Sequence, residues 1–133
     1  MSKDRVTLVV PARGEYARTV RMTAAELAAR LGMSYDEVDD VRMAAEEAFV
    51  YAADTIPADG HVTLEFTVDE DQLELVVALG SESRFSDEEA ERAASYATFI
   101  LQSVCDRFEL SSNDNGAQLR IIKIKGSEPL DAE

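Results

Sequence analysis

The chain has 133 residues, 27 acidic and 13 basic, for a net charge of −14. Its length favours one domain and lets it bury roughly two thirds of its unfolded surface, so a core can form without staples. One cysteine, Cys105, and one histidine, His61, exclude a disulfide framework and a Cys-rich zinc site and disfavour His-based metal sites and triads. The acidic balance argues against nucleic acid, whose phosphates repel such a surface.

No apolar run nears the ~18 residues of a membrane span, and the opening MSKDRVTLVV has no signal-peptide core. The expectation is a cytoplasmic globular domain with no membrane partner. Charge is unevenly spread. Residues 1 to 33 hold six basic and three acidic side chains, net +3, and the rest hold seven basic and 24 acidic, net −17. The basic group includes Arg13, Arg18, Arg21 and Arg30. Such asymmetry can steer a protein partner, or simply solvate a helix.

In chain order, Val6, Leu8 and Val10 alternate in a first strand that Pro11 ends. A helix is predicted from about Glu15 to Leu31, with Ala17, Val20, Ala24, Leu27, Ala28 and Leu31 on one face and Gly32 as its C-cap. Ser34 and Glu37 form a capping box for a second helix, striped by Val38, Val41, Ala45, Ala48, Phe49 and Ala52. It stops near Ile56-Pro57, because the residue before proline resists helical angles.

Val62 to Val68 and Leu73 to Leu79 then alternate as a hairpin across Asp69 to Gln72. Ser86 and Glu89 suggest another capping box, opening a helix to about Asp106 striped by Ala90, Ala93, Ala97, Ile100, Leu101 and Val104. A final hairpin pairs Phe108 to Ser112 with Ala117 to Lys125 across Asn115-Gly116. Apolar parity switches between Ile121 and Ile122, which calls for a bulge or burial on two sides. The order is β-α-α-β-β-α-β-β, an α+β two-layer sandwich with a mixed sheet and helices on one side. Residues 1 to 126 form the domain, and 127 to 133 an acidic tail.

The six glycines are never closer than ten residues, so there is no P-loop or dinucleotide fingerprint. Asp39-Asp40, Glu46-Glu47 and Glu88-Glu89 are adjacent acidic pairs, expected by chance among 27 carboxylates. Helical neighbours diverge by about 100° and share no ligand. Met43, Glu47 and Tyr51 stack at intervals of four beside the buried stripe, which makes Glu47 a base or a carboxylate bonded to Tyr51 or an arginine. Cys105 reads as a half-buried small hydrophobe, and His61 as a loop residue at a strand start.

Pro11-Ala12, Tyr35-Asp36-Glu37-Val38 and Glu46-Glu47-Ala48, with the closing ILQSVCDRFELSSNDNGAQLRIIKIK, carry a resemblance. Over roughly residues 5 to 125 the chain resembles the bacterial anti-sigma-factor serine kinases of stress-response and sporulation switches. The resemblance implies the histidine-kinase-like ATPase fold, serine kinase activity with ATP and Mg²⁺, a sigma factor or its antagonist as partner, and a homodimer. It makes Glu47 the family's base and Arg21, with Arg18 a turn away, its partner-binding arginine.

The departures concern the nucleotide. Tyr51 stands where the family has a magnesium-holding Asn, although Mg²⁺ wants compact hard oxygen donors. The family's Asp-x-Gly-x-Gly reads Leu79-Gly80-Ser81-Glu82-Ser83, and leucine cannot accept the adenine hydrogen bond. Its Gly-x-Gly reads Ser95-Tyr96-Ala97. The expectation is a pseudo-kinase with Glu47 as a remnant base and no ATP, magnesium or other cofactor, acting by protein binding. The alternatives are an active ATP-dependent serine kinase, and a small-molecule domain whose emptied cleft is lined by Tyr51, Leu79 and Tyr96.

Overall fold

A computed structural model describes residues 3–81, 87–114 and 116–126. Ser86 of the expected capping box, Glu82 and Ser83, Asn115 of the last turn and the tail 127–133 lie outside the described residues. The elements are β1 (Asp4–Pro11), a 3-10 turn (Gly14–Tyr16), α1 (Ala17–Arg30), α2 (Tyr35–Ala53), β2 (His61–Val68), β3 (Gln72–Ala78), α3 (Asp87–Val104), β4 (Arg107–Asn113) and β5 (Gly116–Ile124). The predicted order is present, with the first helix entered through the 3-10 turn.

Local chemistry sets the ends. Gly32, at φ 82°, closes α1 in a Schellman motif. Its N–H donates to Ala29 O at 2.9 Å and that of Met33 to Ala28 O at 3.3 Å, with Met33 buried. The Ser34 hydroxyl accepts from Glu37 N–H at 3.1 Å, and Ser34 N–H donates to Glu37 Oε1 at 2.8 Å. That reciprocal pair is the predicted capping box.

The strands lie in the order β1-β2-β3-β5-β4. All four pairings are antiparallel, so the expected mixed sheet is corrected: β2–β3 and β4–β5 are hairpins, β1 meets β2 after the excursion through α1 and α2, and β5 meets β3 after α3 and β4, each in the opposite sense. Val10, Val62, Leu64, Phe66, Leu73, Leu75, Val77, Leu119 and Ile121 all turn to the helix side and are buried. α2 packs on β2, β3 and β5, with α1 and α3 against its flanks.

The parity switch in β5 involves no bulge, because pairing runs unbroken from Gln118 to Ile124. Ile121 is buried on the helix side and Ile122 on the open side, each under 8% exposed. β5 has a strand on either side, and Ile122 sits opposite Glu74 and Arg107. Arg120 pairs with Glu74 and, at 3.5 Å, with Glu109 across that same open face.

The next helix-facing position is Lys123, only 9% exposed. Its ammonium donates to Asp40 Oδ2 and to Val104 O, both at 3.1 Å, and so serves a carboxylate of α2 and the last carbonyl of α3 together. Glu37 completes the same end, with Oε2 accepting Gly126 N–H at 2.6 Å. Burial acts to raise the pKa of Glu37, but the hydrogen bonds from Ser34 and Gly126 and the charge of Lys123 outweigh it, so it lies below the ordinary value.

Candidate functional site

α2 delivers Glu47 and Tyr51 one turn apart, each half-buried. Burial raises the Glu47 carboxyl pKa, and the neighbouring charges of Glu46 and Asp54 add to the effect. Glu47 makes no hydrogen bond to Tyr51 or to an arginine among the described residues, so its sequence-level partners are absent. Tyr51 packs against the hydrophobic core.

The segment after β3 lies against the C-terminal end of α2. Leu79 N–H donates to Ala117 O at 2.9 Å, extending the ladder by one bond, and its side chain packs on the core. Gly80 N–H donates to Thr55 Oγ1 at 2.8 Å, while Thr55 Oγ1 donates to Ala52 O at 2.6 Å. A Cβ on Gly80 would fall 2.1 Å from Thr55 O, inside any real contact, so only glycine fits there. Ser81 follows, exposed. Sequence reading missed Thr55, because a threonine just past a helix carries no mark of a partner 25 residues away.

Ser95, Tyr96 and Ala97 are the ninth to eleventh residues of α3, well inside a regular helix. Interior helix N–H groups are already bonded to carbonyls four residues back, and only the first four are free. This stretch therefore offers no backbone donors to an anion. Ser95 is exposed, Tyr96 is 60% exposed and Ala97 is 3% exposed. Tyr96 is thus at the surface, while Tyr51 and Leu79 pack on the core.

Arg21 bonds across the helices, Nη1 to Glu46 Oε2 at 3.2 Å, with both side chains over a third exposed. Glu15 lies 3.7 Å from Arg13, and Glu26 lies 3.4 Å from Arg30. Arg18 is exposed on the same helix. Met22 and Met43, 59% and 44% exposed, lie on α1 and α2 and add apolar surface to this face. A depression of about 290 Å³ there is lined by Arg21, Asp39, Arg42, Met43 and Glu46.

The remaining candidates have other duties. Asp39 pairs with Arg42, and Asp40 with Lys123. Cys105 is half-buried, and burial pushes its thiol up to about 12, so it stays protonated at neutral pH. His61 is exposed at the start of β2, opposite Pro11. No group of three or more His, Cys, Asp or Glu poised to hold a metal occurs among the described residues. No helix among them is long and apolar enough to cross a membrane.

Residues 10–123 match the model of the histidine kinase-like ATPase domain. The chain belongs to this family. It is 27% identical to the serine-protein kinase RsbW of Bacillus velezensis, over 98% of this chain and 91% of that protein. It is 27% identical to RsbW of Bacillus pumilus over 96% and 90% of the two chains, and 26% identical to RsbW of Bacillus subtilis over the same shares. The similarity extends to nearly the full length of those kinases, so it takes in all five strands and three helices.

Proposed function

We propose that this chain is an anti-sigma-factor-like regulator that acts by binding a protein partner, on a kinase scaffold whose nucleotide site is degenerate. The observation that carries the reading is the place of Ser95-Tyr96-Ala97. Where the resemblance expects a glycine-rich phosphate loop, the chain continues a helix whose N–H groups are already engaged. Tyr51 and Leu79 support it: both pack on the core, Tyr51 offers no compact oxygen donor for Mg²⁺, and Leu79 offers no acceptor for the adenine amino group that the resemblance expects there. These residues do not suit Mg-ATP.

Partner binding falls to the α1 face. Arg21 presents a planar fork suited to a partner carboxylate, held in place by Glu46, with Arg18 exposed beside it. The partner is a sigma factor or the antagonist of one, and the setting is the cytoplasm, with the regulator as a homodimer. A second reading, the active serine kinase, rests on Glu47, whose raised pKa suits a general base.

Calorimetric titration with Mg-ATP separates the two. No binding in the micromolar range is expected, and micromolar binding would overturn the degenerate-site reading. A pull-down from the native cell with wild type and with Arg21→Gln tests the face. Capture should fall with the variant, and unchanged capture removes Arg21 from the interface.

A further inference from the structure

The outer side of α3 is built unlike the surface of α1 or α2. Asp87, Glu88, Glu89 and Glu91 are all exposed near its start, and Asp87, Glu88 and Glu91 form no ion pair among the described residues. α3 itself carries four acidic side chains and one basic, Arg92, a net of −3.

Two turns on, Tyr96 and Phe99 stand 60% and 67% exposed. A groove of about 400 Å³ runs between the acidic and aromatic parts, lined by Glu91, Ala94, Ser95, Thr98, Phe99 and Gln102. Gln102 also borders a second depression of about 380 Å³ at the turn into β4, beside Asp106 and Phe108. From Glu91 to Gln102 the helix advances about 17 Å, the length of three helical turns.

Large exposed aromatics beside unpaired like charges call for a cover that is apolar on one side and opposite in sign at its rim. A second copy is a poor cover for this face, because pairing α3 with its own copy would set the same exposed carboxylates, Glu88 and Glu91, against one another. An anionic membrane surface is repelled by the same carboxylates.

We propose that the outer face of α3 docks a basic amphipathic helix of another protein. The aliphatic side chains of that helix cover Tyr96 and Phe99, and its Lys or Arg residues meet Glu88 and Glu91. This face stands apart from Arg18 and Arg21, so the proposal holds or fails independently of the α1 interface.

The test is an NMR titration of the ¹⁵N-labelled full chain with a synthetic Leu/Lys helical peptide of four turns. A Leu/Glu peptide of the same pattern serves as the control. Saturable binding is expected, with shift changes centred on residues 91 to 102 and none from the control. Phe99→Ala and Glu91→Lys should each weaken binding at least tenfold, with Arg21→Gln unchanged. Circular dichroism confirms that the variants fold, as expected for exposed positions.

Shift changes spread over the acidic surface without saturation would overturn the proposal. So would equal affinity in Phe99→Ala. Sedimentation showing that the free chain self-associates through Phe99 would assign the face to a second copy and overturn it too.

Discussion

α2 and α3 are nearly equal in length, 19 and 18 residues, and both are rich in alanine and acid. Yet α2 buries eight residues and α3 two. α3 segregates polar and apolar residues more sharply than α2, so amphipathic pattern does not measure depth. Depth follows position. α2 lies over the middle of the sheet with a helix on either flank and is apolar around much of its girth, whereas α3 covers the side toward β4 and keeps one face to solvent. α2 is the scaffold, and α3 is the element with surface to spare.

The widest separation should come from truncation. Phe49→Ala, at a position with no exposure, should cost about 3–5 kcal/mol in urea unfolding. A loss under about 1 kcal/mol would break the contrast, because surface positions away from special features change stability by about that or less.

Glu37→Gln tests how α2 is tied to the C-terminal end of the sheet. Loss of charged hydrogen bonds at a buried site should cost about 1–3 kcal/mol at neutral pH. The folded pKa of Glu37 lies below the ordinary value, so its contribution is present above the unfolded pKa and is lost as pH falls through the folded one. The wild type should therefore lose stability on acidification through that window, and Glu37→Gln should lose less.

Glu47 titrates with the opposite sign. Its folded pKa is raised, so the stability it contributes is present below its unfolded value and is lost as pH rises through the folded one. Glu47→Gln should remove that loss, read as a higher melting temperature at neutral pH and no gain in acid.

The smallest effect is expected on α3. Phe99→Ala should change stability by no more than about 0.5 kcal/mol, because the ring is mostly in water already. A larger loss would show that Phe99 serves the fold and is not held out for a partner.

Much of this fold was legible because its signals are local. Ser34 and Glu37 are three residues apart, and Gly32 ends α1 where a positive φ is needed. The partners that shape the site are not local. Glu37 also holds Gly126, 89 residues on, and Lys123 reaches back to Asp40. Arg21 pairs with Glu46 because α2 brings that carboxylate alongside. The buried lysine had one faint mark, the run Ile121 to Lys125, in which a charge falls on the core parity of a strand.

By itself the sequence determined the order of elements, the caps at Gly32 and Ser34 and the one apolar face of the first three strands, since these follow from periods of two and 3.6 residues and from side chains bonding to nearby backbone. Tertiary structure decided how β1 and the two hairpins join into one sheet, why Ile122 is buried on the open side, and how deep each helix lies. Those outcomes depend on what the rest of the chain brings from far along the sequence, and a local pattern holds no record of it.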